Sequence, residues 1–329
     1  MSSIQASPIT QDRAWLARLQ PGFFAIPLGL MGLASAWQRL VPLGITIGNP
    51  VSFYLFATAL CLFALLLLLW LAKLARHTAI ALHEWQHPVQ GALLALIPLN
   101  VLLAVAMVAP IVPGLDAVWL PATMAALLMQ GLLAWQVVAR LSSGQTPTEL
   151  VTPALYLPTV AGGFVGSMTL HALGQPGWAA LLVGMGLGAW ALLEMRILNR
   201  LFAGPLPPTL RPTLGMEIAP AAVGSLAVAT LWPALPAEVL VVCLGVASGP
   251  VLAVLTRWRY WTAVPFTAGF WSFSFPLAAL AGATVEAVRR GGWPPEVALA
   301  AVAIASLVIA FLAVRTLVLL VRGRLLPLQ

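Results

Sequence analysis

Three stretches of the chain carry side chains whose types and spacing could do chemistry. His83-Glu84-Trp85-Gln86-His87 matches H-E-x-x-H, in which two histidines hold zinc and the glutamate acts as base. That chemistry needs both imidazoles on one helical face and a third ligand from elsewhere. Pro88 follows His87 directly, which pushes His87 out of the α region and ends any helix there. His77 is local and His171 lies in a distant apolar run, so no third ligand is well placed. The stretch reads as a short basic loop. A membrane-embedded zinc metalloprotease is therefore the second reading, and no metal site is expected.

The second stretch holds Glu217, a carboxylate inside an apolar run. It precedes Pro220 by about one turn and shares its face. An ionisable residue at membrane depth is a functional candidate by default. The alternative is an interfacial glutamate paired with Arg211 or Arg257, and the sequence leaves both open. Glu194, near the end of another run, is expected to pair with Arg196 or a nearby loop arginine.

The third stretch, 266–286, is long and apolar enough to cross a bilayer. As a helix it carries Ala268, Ser272, Phe275, Ala279 and Gly282 on one face. Phe275 is the one bulky group on that stripe. Pro276 follows it, has no N–H, and predicts a kink that strips the Ser272 carbonyl of its helical partner. A break of that kind is tolerated in hydrocarbon only against protein or a water-filled cavity. Small residues, one ring and a proline at one depth suggest a pore wall with a plug. Phe270 and Phe273 lie off the stripe and are expected to pack against other helices.

The elements that position these groups follow from composition. Hydrophobic residues make up 61% of the 329-residue chain, charged residues 8%, and the mean hydropathy is +0.99. A soluble domain carries about a quarter charged residues. The fold class is therefore an all-α polytopic membrane protein. Cys61 and Cys243 sit in apolar runs and imply neither a disulfide framework nor a cysteine metal site. The net charge of +7 is explained by loop topology rather than by a nucleic-acid partner.

Residues 1–20 form a polar N-terminal segment without a signal-peptide pattern. Trp15, Leu16 and Leu19 opposite Asp12, Arg13 and Arg18 suggest a segment lying along the membrane surface. Residues 21–321 form the membrane domain and 322–329 a tail. Ten apolar runs fall at 22–40, 51–74, 92–111, 119–141, 153–174, 178–198, 213–232, 237–255, 262–288 and 297–320. Most Lys and Arg residues fall beside alternate loops. The opposite side holds only Arg39, Arg289 and Arg290, which puts both termini in the cytoplasm.

A repeat runs through the ten spans. Each odd-numbered span holds a proline near its middle or inner half: Pro27, Pro98, Pro158, Pro220 and Pro276. Of the even spans only the eighth holds one there, Pro250. The odd spans also carry most small and polar residues. Five hairpins, each with one kinked and one plain helix, predict an inner ring of odd helices around a pore and an outer ring of even helices. Pro27, Pro98, Pro158, Gly162, Glu217, Pro220, Ser272, Pro276 and Ala279 are the expected pore-lining residues, and Phe275 the gate. Gly162-x-x-x-Gly166 and Gly184-x-x-x-Gly188 are expected to mark close helix contacts, within the chain rather than at an oligomer seam.

Four motifs in order carry a resemblance. They are Pro21-Gly-Phe-Phe-Ala-Ile-Pro-Leu-Gly-Leu30, Ala154-Leu-Tyr-Leu-Pro-Thr-Val-Ala161, Leu214-Gly-Met-Glu-Ile-Ala-Pro-Ala221 and Phe270-Trp-Ser-Phe-Ser-Phe-Pro-Leu277. Together they resemble the tellurite-resistance/dicarboxylate transporter family, over essentially the whole chain. The resemblance implies a channel or permease for small inorganic or organic anions, not an enzyme, with no cofactor. It implies a homotrimer in the bacterial inner membrane, with a separate pore in each protomer closed by a phenylalanine that matches Phe275.

Overall fold

The computed structural model describes residues 15–112 and 114–326, and these are helical with no strand. Asp12 and Arg13, on which the surface-segment reading depends, lie outside the described residues.

The α-helices are α1 (Ala25–Gln38), α2 (Gly48–Arg76), α3 (Thr78–Gln86), α4 (Pro88–Leu93), α5 (Leu96–Val108), α6 (Asp116–Ser142), α7 (Gly162–Ala172), α8 (Pro176–Phe202), α9 (Ala219–Leu231), α10 (Ala237–Thr256), α11 (Trp258–Thr262), α12 (Ser274–Gly291) and α13 (Pro295–Val321). Nine stretches among the described residues are continuous, long and apolar enough to cross a membrane. They correspond to nine of the ten apolar runs. The remaining run is divided into a 3-10 turn (Pro153–Leu155), a π-helix (Leu157–Ala161) and α7.

Burial divides the nine into two kinds. In Pro21–Leu43, Pro88–Val108, Pro208–Leu231 and Ala268–Gly291, 67% to 89% of the most apolar stretch is buried; in the other five it is 11% to 28%. Residues 153–170 are also buried, with only Thr159 partly open. The poorly buried helices expose plain aliphatic side chains, such as Leu65, Leu68 and Leu71 on α2. In lipid such side chains need no protein partner, whereas helix association depends on close packing of small residues.

The five buried helices contact one another in a closed cycle: α1 with α5, α5 with α7, α7 with α9, α9 with α12, and α12 with α1. Gly29 meets Ser274 and Arg39 meets Glu286, so α1 and α12 run the same way, and Arg39, Pro110, Ala172, Thr230 and Ala279, from the later parts of the five, line one cavity. The bundle thus has a leading end, where the buried segments begin, and a trailing end, where they finish. Missing Cβ atoms permit this closeness. A Cβ on Gly29 would fall 2.0 Å from Ser274 Oγ, and one on Gly282 of α12 would fall 3.2 Å from Leu226 Cδ1 of α9.

The five prolines occupy a common place, though not quite the expected one. Pro27, Pro98, Pro220 and Pro276 each stand within the first three residues of an α-helix; Pro158 is second in the π-helix. The segments preceding Pro27, Pro220 and Pro276 are 3-10 helices, Pro21–Phe24, Pro208–Ile218 and Ala268–Phe273. The expected kink inside a continuous helix is therefore a change of helix type. A first-turn proline gives up an N–H that has no partner in its own helix, so the missing donor costs little. Side chains serve the carbonyls at these changes. Gln130 on α6 donates through Nε2 to Leu157 O at 2.7 Å and Pro158 O at 3.1 Å. Asn100 Nδ2 donates to Phe24 O at 2.9 Å and Leu96 O at 2.7 Å.

The stretch 78–86, read as a loop, is instead the helix α3. Ala, Leu, Glu and Gln favour helix between the breaks at His77 and Pro88. It is anchored by Lys73, fully buried on α2, whose Nζ donates to Glu84 Oε1 and Leu19 O, both at 2.6 Å. Removing one partner of a buried pair strands the other charge. Lys73→Met is expected to destabilise the protein by about 3 kcal/mol, and adding Glu84→Gln should recover part of the loss. Thermal unfolding in detergent checks this. Strictly additive losses would show that the two groups do not act as a pair.

Candidate functional site

The stripe on α12 and its 3-10 approach touches two cavities that share no lining residue. Ser272 lines the leading cavity, of about 390 Å³. Its other walls include Gly22 and Ala25 before and at the start of α1, Leu93 on α4, Met216 before α9, Gly269 before α12 and Arg324 after α13. Phe275 and Ala279 line the trailing cavity, of about 200 Å³. The residues around the trailing cavity come from α1, α5 with the turn that follows it, α7, α9 and α12. These are the five members of the closed cycle, so this cavity lies within the ring.

Phe275 is 6% exposed, and Gly32 on α1 makes its seat. A Cβ on Gly32 would come 2.9 Å from the Phe275 Cδ2 and 3.2 Å from the Ala278 Cβ. The ring thus rests on bare backbone of the facing helix. One turn earlier, Ser272 Oγ donates to Pro212 O at 2.5 Å and ties the 3-10 approach to the segment before α9. Phe270 and Phe273 point elsewhere. They stack on each other with centroids 6.4 Å apart, and Phe273 lies 4.7 Å from the Trp261 ring. Both line a separate apolar pocket with side chains of α10 and α13.

The remaining site residues read from the sequence are distributed otherwise. Pro27, Pro98, Pro158, Pro220 and Pro276 line neither cavity and shape the ring instead. Gly162 also lines neither; a Cβ there would fall 2.5 Å from the Gln130 side chain of α6. Gly163 and Gly186 form the close α7–α8 contact, whereas Gly184 and Gly188 meet nothing within 4 Å. The Gly184-x-x-x-Gly188 motif therefore lies on the outside of α8. Glu217 lines neither cavity and is 7% exposed. Of the two expected arginines, Arg257 holds it, with Nη2 2.5 Å from Oε2. Arg211 instead lies over the Tyr260 ring at 4.4 Å. Glu194 makes no pair with Arg196. It accepts from Tyr156 Oη at 2.5 Å and Trp190 Nε1 at 2.8 Å. Trp190 stands one helical turn away on the same face, whereas a residue two positions on points to another side.

The H-E-x-x-H residues are otherwise engaged. Glu84 is held by Lys73. His87 Nδ1 accepts from the backbone N–H groups of Val89 at 3.2 Å and Gln90 at 3.3 Å, capping α4. No cluster of metal-ligating side chains is found among the described residues. Partial burial pushes the His87 pKa below its usual value, with His83 and Arg140 adding to the effect.

The sequence reading used Arg39 only for topology, yet Arg39, Ser35, Thr230 and His171 supply the polar wall of the trailing cavity. A signal was present. Gly29, Gly32, Ser35 and Arg39 follow one another at helical steps of three and four, so Arg39 shares the face that seats Phe275.

Only a neutral His87 can accept two N–H bonds. Its stabilising effect is complete above the ordinary histidine value near 6.5 and is lost as pH falls through the lower folded value. His87→Ala is expected to cost about 1 kcal/mol near neutral pH. The difference from the parent in thermal unfolding should close at acid pH. A difference that does not vary with pH would exclude the capping role.

Two comparisons bear on this geometry. The tellurite resistance protein TehA homolog of Haemophilus influenzae is 27% identical over 312 residues, spanning 93% of this chain and 92% of that protein. Residues 18–319 match the family described as voltage-dependent anion channel, SLAC1. The chain therefore belongs to the voltage-dependent anion channel family, and is a membrane channel or transporter for anions rather than an enzyme.

Proposed function

We propose that each protomer conducts small inorganic or organic anions through the axis of its five-helix ring, with Phe275 as the gate. The observation that carries this reading is the trailing cavity, walled by all five ring helices and bounded by the Phe275 ring. Ser272 on the leading side and Ala279 on the trailing side line the path. An apolar ring in a narrow neck stops ions by keeping the neck dry. Opening is a rotamer change of Phe275 or a small shift where the 3-10 segment meets α12.

In this reading the chain crosses the bacterial inner membrane ten times as five hairpins. The divided segment 153–172 is the fifth crossing. Each buried helix packs on the poorly buried helix that follows it, which supports the hairpins. Both termini face the cytoplasm, in keeping with the arginine-poor trailing end. Three protomers assemble through the outer helices. Gly184 and Gly188 on α8, and Gly245 and Gly249 on α10, present small faces with nothing packed on them, as close helix contacts need.

Phe275→Ala should raise anion flux in liposomes at least ten-fold over the parent, on the scale of removing a dewetted barrier. Gly32→Ala tests the seat without touching the ring. Its new methyl should displace Phe275 and raise flux less. Phe270→Ala and Phe273→Ala should leave flux near the parent level. The gate is wrong if Phe275→Ala conducts no better than the parent, or if Phe273→Ala opens the pathway equally.

Orientation has its own test. In a background lacking Cys61 and Cys243, an impermeant thiol reagent on intact cells should label Ala234→Cys and spare Ala203→Cys. The opposite pattern would invert the topology.

A further inference from the structure

We infer that Arg39 forms an anion-binding station on the trailing side of Phe275, with Glu286 setting its position and strength. The inference rests on the anion-conducting reading and names a binding site within it. Arg39 is the one Lys or Arg among the residues lining the trailing cavity, and no carboxylate lines that cavity. Its guanidinium is only partly committed. Nη1 donates to Glu286 Oε1 at 2.8 Å, Nη2 donates to Thr230 Oγ1 at 3.1 Å, and the buried Nε has no partner. A guanidinium has five N–H donors; with two committed and the Nε–H sealed from solvent, two remain for a ligand.

The surroundings favour an anion. Glu286 also accepts from Arg289 at 2.7 Å and lies 3.4 Å from Arg290. Three guanidiniums against one carboxylate leave a net positive charge of two. The other acidic residues at this end, Asp116, Glu238 and Glu296, sit exposed in the first turns of the outer helices α6, α10 and α13. Ser35 on the same face of α1 and His171 on the α7 wall add polar groups, and the Ser35 hydroxyl makes no hydrogen bond within the described residues. Thr230 is not a ligand, because its hydroxyl donates to Leu226 O and accepts from Arg39.

One guanidinium in a cavity of about 200 Å³ suits a single small inorganic anion of the halide or nitrate class. Glu286 withdraws part of the Arg39 charge, which keeps the station weak enough to release its ion. The station therefore concentrates anions next to the gate without trapping them. Arg39→Gln leaves Glu286 with Arg289 and Arg290, so no buried carboxylate is stranded and the variant should fold.

Chloride flux against concentration in the Phe275→Ala background reads the station. Arg39→Gln should raise the half-saturating concentration about ten-fold, the loss of one charge-assisted contact. Arg39→Lys should restore part of it, and Glu286→Gln should lower the half-saturating concentration several-fold. Bromide, located by its anomalous scattering in crystals of the parent, should lie within hydrogen-bond distance of the Arg39 guanidinium. If Phe275→Ala conducts but Arg39→Gln saturates as before and no bromide sits at Arg39, the station is refuted and the gate stands. If Phe275→Ala does not conduct while bromide occupies Arg39, the gate is refuted and the station stands.

Discussion

A bilayer contains no water to replace a lost hydrogen bond, and that constraint governs the structure. Five buried segments depart from regular α-helix, and side chains answer the carbonyls of Phe24, Leu96, Leu157, Pro158 and Pro212 near these departures. The only place such segments can stand is against one another. The poorly buried helices run unbroken, even with Pro121 inside α6 and Pro250 inside α10, and can take the lipid. The division into a buried cycle and an exposed surround follows from this requirement. Gln130 shows the requirement at a single point, reaching from an outer helix into the widened turn of the π-helix to serve two carbonyls.

The same departures make the cavities. A 3-10 segment is narrower and longer per residue than an α-helix. Joining one to the other at Phe273–Ser274 changes the direction of the side chains. Ser272 then meets one cavity and Phe275 the other. The ring is held between them by contact with a glycine rather than by a hydrogen bond. Contacts between apolar atoms are individually small, so a ring seated this way can turn without breaking a polar bond.

Charge is arranged by pairs. Lys73 with Glu84, Arg257 with Glu217 and Arg39 with Glu286 each join different helices, so each carboxylate locks a tertiary contact. None of these three acids lines either cavity. What is left toward the cavities is cationic or neutral, which fits the family to which the chain belongs. Glu194, which makes no ion pair among the described residues, accepts from tyrosine and tryptophan instead.

The sequence by itself determined the class, the apolar runs, the alternation of broken and plain spans, and Phe275 as the bulky group on its stripe. These depend on composition and on periodicity along one helix, which are local properties. It also identified Pro88 as the end of a helix, since proline acts on its immediate neighbour. The tertiary structure alone decided what each side chain faces. Arg39 and Glu286 are 247 positions apart, and no periodicity relates them. The choice of Arg257 over Arg211 for Glu217, the use of Gly162 against Gln130, and the seat of Phe275 on Gly32 all depend on how helices distant in sequence are rotated about their axes. That rotation is set by packing across the whole ring, so it belongs to no single stretch of the chain.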